Sequence, residues 1–198
     1  MKMNIFRKIV TLAQLPQAAT ELRQTDRAIV HCHGCFDIVH PGHLRYLQFA
    51  RQQGDALVVS LTSDDAIEKS DGTRPYVPQE LRAETLASLE FVDLVVIADG
   101  PTAEPVIRAL RPEIYIKGKE YEGSEHPGFV AEKDLVESLG GQVMFSSGDV
   151  VFSSTAILDE MGDALQADGF DDAYRLSASC SRWGIDLSFA RQIGRAHV

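Results

Sequence analysis

Five short apolar runs recur along the chain, at 28–34, 56–61, 94–97, 114–116 and 142–145. Near-continuous apolar runs of this length read as parallel strands covered on both faces. The segments between them carry helical spacing and helix punctuation. Leu44, Leu47, Phe49 and Ala50 fall on one helical face over 42–54, and Gly54 is a stop signal. Ser63, Asp64 and Asp65 offer N-caps for a short helix ending near Lys69. Further helices are predicted at 78–89, from 101 or 102 to 110 before Arg111-Pro112, and at 129–139 before Gly140-Gly141. The polar stretch 119–128 reads as a loop. Strand and helix alternate throughout, which predicts an α/β domain over 27–161. Its expected core is a Rossmann-like, open, mostly parallel five-stranded sheet with helices on both faces. Residues 1–26 read as a helical lead-in, with Leu12, Leu15, Ala19 and Leu22 near helical spacing and Pro16 breaking it. Residues 162–198 change character and read as a helical tail or linker, with short helices at 164–167 and 171–176.

Composition narrows the class. The 198 residues are 44% hydrophobic and 24% charged, ordinary for a globular chain. The formal net charge of −10 argues against nonspecific nucleic-acid or anionic-membrane partners. An anionic substrate must therefore be held by local positive features. Three cysteines make no disulfide framework. No apolar run approaches the roughly 18 residues of a membrane span, and the N-terminus lacks a signal-peptide apolar region. Cytoplasmic localisation is the expectation.

The chemistry concentrates after the first run, in Gly34-Cys35-Phe36-Asp37-Ile38-Val39-His40-Pro41-Gly42-His43. Gly34 has no Cβ, so a phosphate can come close to the backbone. Pro41 suits a helix entrance, and the free N–H groups near Gly42 and His43 attract anions. His40 and His43 are three residues apart, so both rings can face one point before that helix. Two imidazole donors there can stabilise charge growing on phosphate oxygens. Zinc is the competing reading, from Cys32, Cys35, His31, His33 and the two following histidines. No second C-x-x-C or H-x-x-x-H pair closes such a site, and Cys32 and Cys35 point to opposite faces if 29–35 is a strand. Other candidates follow along the chain. Lys69 and Arg74 lie on a turn-rich loop and could reach phosphates, or be solvated. Arg82 is predicted in a first helical turn, where the dipole disfavours it, so it points either at a nucleotide phosphate or at a nearby glutamate. Lys117 falls at the carboxyl end of the fourth run, where open α/β sheets bind ligands. Ser153, Ser154 and Thr155 are either helix caps or a second phosphate cradle.

Gly34-Cys35-Phe36-Asp37 … His40-Pro41-Gly42-His43 resembles the G-x-F-D-x-x-H-x-G-H signature of the cytidylyltransferase-like nucleotidyltransferases. Ser63-Asp64, Glu80-Leu81-Arg82, Lys117-Gly118-Lys119-Glu120-Tyr121 and Phe152 to Ile157 resemble later segments of the same family. Within it the likeness is to the adenylyltransferase domain of ADP-heptose synthases. The resemblance implies a nucleoside triphosphate and a phosphorylated small molecule as substrates, with pyrophosphate released. It implies Mg²⁺ with the triphosphate, though no dedicated cation cage is visible. It implies His40, His43 and Lys69 as catalytic residues. Gly34, Cys35, Phe36, Gly42, Arg82, Lys117, Ser153, Ser154 and Thr155 would contact the nucleotide, and Asp37 would order the His40 loop. ATP with a heptose 1-phosphate is the first expectation. CTP with a polyol phosphate or phosphoethanolamine is the alternative, and a non-catalytic nucleotide-binding module is an alternative of another class. The resemblance also implies a homodimer and fusion, beyond residue 198, to a sugar kinase.

Overall fold

The computed structural model describes residues 5–24, 27–67 and 75–146. Its centre is a sheet of strands β1 (Ile9–Val10), β2 (Ile29–Gly34), β3 (Ala56–Thr62), β4 (Leu94–Ala98), β5 (Ile114–Lys117) and β6 (Gln142–Phe145). The spatial order is β1-β4-β3-β2-β5-β6, and every pairing is parallel. The helices are α1 (Leu15–Arg23), α2 (Pro41–Gln52), α3 (Gln79–Ala87), α4 (Glu104–Leu110) and α5 (Pro127–Ser138). Each of the five apolar runs is a strand. The sheet has six strands rather than five because Ile9–Val10 adds an edge, with Ile9 opposite Val95 and Val10 opposite Val96. A two-residue strand carries no periodicity from which to read it.

Side-chain alternation divides the core into two layers. Val30, Cys32, Leu57, Val59, Leu61, Val95, Ile114 and Ile116 pack with Leu47 and Ala50 of α2 and with Ala83, Leu86 and Ala87 of α3. The opposite face carries Ile29, Ala56, Val58 and Val96 under Leu15 and Ala19 of α1 and Val106 and Leu110 of α4. Tyr115 completes that face beneath Ala103, Ile107, Leu135 and Val136.

Pro16 does not break the lead-in helix; it sits in the first turn of α1, where a proline's missing N–H has no partner to lose. The short helix expected after Ser63 is a single 3₁₀ turn, Asp64–Ala66, and Ser63 makes no side-chain cap bond. Lys69, Arg74, Ser153, Ser154 and Thr155 fall outside the described residues, as does the tail. Among the described residues no helix is long and apolar enough to cross a membrane.

The strand order places the topological switch between β2 and β5. Strands β3 and β4 run outward from one side of β2, and β5 and β6 from the other. Ligands in open α/β sheets bind outside the carboxyl ends at such a crevice.

Candidate active site

The loop leaving β2 turns sharply into α2. Phe36 has φ of 50°, in the left-handed region that non-glycine residues seldom adopt. Its ring lies over Gly34, where an added Cβ would stand 3.2 Å from Cε2 of Phe36. Gly34 thus lets Phe36 close down on the strand end, and the buried ring then packs against His43 with centroids 5.2 Å apart.

His40 is the N-cap of α2 and has extended backbone. Its Nδ1 accepts the Gly42 backbone N–H at 3.1 Å, which satisfies one of the helix's free donors. An accepting Nδ1 leaves the proton of the neutral ring on Nε2, where it can donate to a ligand. The His43 ring lies over His40, with centroids 4.0 Å apart and planes inclined by 31°. Burial lowers the pKa of His40. Burial, then the neighbouring His40 charge, brings His43 down to about 4. The Ile38 backbone opposes that shift, yet Nδ1 of His43 is buried without a hydrogen-bond partner. At neutral pH the two rings are uncharged donors at a helix mouth, ready for an anion.

Asp37 is buried and accepts the Val77 N–H at 3.0 Å, tying the β2 loop to the segment before α3. Arg82 departs from its expected placement. It is fully buried and faces the protein, not an open phosphate site. Its Nε donates to the Val77 carbonyl at 3.0 Å. Nη1 donates to the Cys35 carbonyl. Nη2 donates to the Thr62 carbonyl at 2.9 Å and to Asp64 Oδ1 at 2.6 Å. One guanidinium therefore ties together the ends of β2 and β3 and the entrance to α3. Neither Glu80 nor Glu84 is its partner. Cys35 is half-buried, with its Sγ 4.0 Å from Nη1 of Arg82.

Lys117 ends β5 at the switch point, but it is buried. Its Nζ donates to Oε2 of Glu132 on α5 at 3.3 Å and lies 4.5 Å from the Tyr121 ring centroid. Glu132 also accepts the Tyr115 hydroxyl and the Ala103 N–H, each at 2.8 Å. Burial alone would raise the Glu132 carboxyl, but the Lys117 ammonium and the Ala103 N–H outweigh it and hold it below the usual carboxylate range. Glu132 went unnoticed in the sequence because one acidic residue on an amphipathic helix reads as solvent-facing. A better signal was available in His31, His33 and Ser60, polar residues inside otherwise apolar strands.

Cys32 faces the α2 layer, whereas His31 and His33 face the other side of the sheet. Burial raises the Cys32 thiol to about 12. Among the described residues no three His, Cys, Asp or Glu side chains gather as a metal site. A cleft of about 770 Å³ opens beyond β3 and β4, lined by Ser63, Asp65, Ala66, Gln79, Asp99 and Pro101.

The sequence matches the cytidylyltransferase-like family over residues 31–157. It is 42% identical over 138 residues to the bifunctional protein HldE of Wolinella succinogenes, covering 68% of this chain and 29% of that one. It is 37% identical over 156 residues to the bifunctional protein HldE of Alcanivorax borkumensis, covering 78% and 32%. The chain spans about a third of the length of these curated relatives. In fold it resembles a lipopolysaccharide core biosynthesis protein from Thermoplasma volcanium, with a TM-score of 0.50 and 24% identity over 60% of this chain and 93% of the other. It also resembles the pantoate-beta-alanine ligase of Francisella tularensis, with a TM-score of 0.53 and 16% identity over 70% and 66%.

Proposed function

Because the chain belongs to the cytidylyltransferase-like family, we propose that it transfers a nucleotidyl group from a nucleoside triphosphate to a phosphorylated small molecule. The donor is ATP and the acceptor a heptose 1-phosphate, giving an ADP-sugar. A phosphate oxygen of the acceptor attacks the α-phosphorus. A new P–O bond forms, the bond to the bridging oxygen breaks, and pyrophosphate leaves with that electron pair. No covalent enzyme intermediate is needed, so catalysis is alignment and charge stabilisation.

The His40–His43 pair at the mouth of α2 carries this reading. Two adjacent, uncharged rings with a helix N-terminus beside them suit the α- and β-phosphates. Nε2–H of His40 donates to the oxygens that gain charge. Gly34, Cys35 and Phe36 form the floor, and Lys117 neutralises a phosphate from the end of β5. Lys69 bridges the two substrates, and Ser153, Ser154 and Thr155 hold the triphosphate tail. The identity to proteins named bifunctional protein HldE favours ATP and a sugar phosphate.

Mg²⁺ accompanies the triphosphate in this reading. The described residues do not fit a protein cage for it, since Asp37 and Asp64 already hold backbone N–H groups and Asp64 also holds Arg82. A sugar 1-phosphate acceptor implies a kinase that makes it, consistent with relatives of which the match covers only about a third and which are called bifunctional.

The test is pyrophosphate release from ATP or CTP with heptose 1-phosphate, glycerol 3-phosphate or phosphoethanolamine. Turnover with ATP and heptose 1-phosphate is expected. His40→Ala with His43→Ala should reduce it by about 10³-fold or more while the protein remains folded. Turnover with CTP and glycerol 3-phosphate alone would replace both substrates. Silence across the panel with retained nucleotide binding would leave a binding module.

A further inference from the structure

One face of the central strands β2, β3 and β4 is apolar; the other is not. Beneath α4 and α5 it turns polar toward the carboxyl ends, through His31 and His33 of β2, Ser60 and Thr62 of β3, and Tyr115 and Lys117 of β5. Ser60 Oγ lies 2.8 Å from Nε2 of His31 and 2.8 Å from Nδ1 of His33. Nε2 of His33 lies 3.4 Å from the Thr62 hydroxyl. Glu132 joins Tyr115 to Lys117 alongside. The His31 and Tyr115 rings stack, with centroids 5.1 Å apart, so these groups form one cluster.

Packing does not account for the cluster. Apolar residues of similar volume would fill the space without the cost of burying charges, imidazoles and hydroxyls. The cluster also grades outward. His31 and Ser60 are fully buried, whereas His33 and Thr62 keep partial exposure at the sheet edge. The His33–Thr62 contact is at the long limit of a hydrogen bond, so a ligand hydroxyl could replace it at little cost. Lys117 is 6% exposed and carries three N–H donors, of which one meets Glu132 among the described residues. The cleft beyond β3 begins one residue after Thr62, at Ser63.

We propose that His33, Thr62 and Lys117 form the acceptor subsite, which takes a phosphorylated polyhydroxy compound. This rests on the nucleotidyltransferase reading. The acceptor enters over the face covered by α4 and α5, and the triphosphate over the α2 face. Lys117 meets acceptor phosphate. His33 and the Thr62 hydroxyl each both donate and accept, which matches sugar hydroxyls and strands a hydrocarbon. The Tyr121 ring, 4.5 Å from Lys117 Nζ, offers an apolar wall to a sugar's C–H face. An ammonium-bearing acceptor fits poorly, because both Glu132 oxygens are already engaged. Ser60 is a positioning residue: its single hydroxyl proton links the tautomers of the two rings.

The test compares wild type with His33→Ala, His33→Asn, Thr62→Val and Ser60→Ala. KM for heptose 1-phosphate and for ATP is measured by pyrophosphate release. Calorimetry measures heptose 1-phosphate binding without nucleotide, and thermal melting confirms folding. The acceptor KM should rise by about 10-fold in His33→Ala and Thr62→Val, one good hydrogen bond, with KM for ATP unchanged. His33→Asn, which keeps a neutral donor and acceptor, should recover part of the loss. Ser60→Ala should raise the acceptor KM less and shift its pH profile. A rise in KM for ATP alone, or no change in either, would overturn the subsite while leaving the transferase reading intact. If wild type releases no pyrophosphate but binds heptose 1-phosphate, and His33→Ala weakens that binding, the subsite stands without the reaction. If wild type neither turns over nor binds the sugar phosphate, both fail.

Discussion

Replacing Arg82 distinguishes a phosphate ligand from an internal brace. Its side chain is wholly inaccessible and donates to three carbonyls and one carboxylate drawn from three loops. Arg82→Met fills much of the volume but leaves those acceptors without a donor. Asp64 keeps 26% side-chain exposure, so water partly compensates it, and the three carbonyls dominate. Breaking a buried, hydrogen-bonded charge typically costs about 3–5 kcal/mol. For a domain of this size each kcal/mol lowers Tm by about 2–4 °C. The expected fall is therefore about 6–20 °C, read by circular dichroism without nucleotide. Arg82→Lys should recover only part, because an ammonium cannot present a planar fork to several acceptors. ATP affinity should fall only as the loops loosen. A variant that melts within about 3 °C of wild type while its KM for ATP rises 10-fold would refute the brace and return Arg82 to the nucleotide.

Acid should destabilise the protein before ordinary carboxylates protonate. Burial brings His33 and His43 to about 4, so between about 6.5 and 4 the unfolded chain binds protons that the folded one refuses. Stability should fall as pH drops through that window, by up to about 1.4 kcal/mol per pH unit per histidine. Urea midpoints from pH 7.5 to 4 test this, and His33→Asn should flatten the slope; stability rising on acidification would contradict it. Glu132→Gln should cost about 3 kcal/mol by leaving Lys117 uncompensated. Replacing both partners, Lys117→Met with Glu132→Gln, which keeps an oxygen acceptor for the Ala103 N–H, should recover most of that stability in denaturant titrations while abolishing turnover. A single-variant cost below about 1 kcal/mol would mean that the pair is not coupled.

The strands were legible because a parallel strand covered on both sides must be apolar at nearly every position, as 56–61 is. The helix mouth was legible because Pro41 sets where α2 starts and the spacing of His40 and His43 puts both rings on one side of it. Arg82 was not. Its direction depends on carbonyls of Cys35, Thr62 and Val77, which are far from it in sequence and meet only when three loops converge. The lead-in was half legible: Leu15 and Ala19 mark a buried face, but Pro16 opens a helix as readily as it ends one. The partnership of Lys117 with Glu132 joins a strand end to a helix across a loop, and neither residue alone signals it.

The outer strand Ile9–Val10 has a consequence for how the sheet assembles. Its partners Val95 and Val96 lie more than eighty residues further along the chain, and closing so long a loop is rewarded by only two residue pairs. Strands β2, β3 and β4 pair over shorter separations along their whole lengths. They form the natural nucleus, and β1 is a latch that closes last. By the same reasoning it opens first. In native-state hydrogen exchange the amides of Ile9 and Val10 should lose protection at a lower free energy than those of Val58 to Ser60, so fraying of the fold starts at the edge farthest from the histidines.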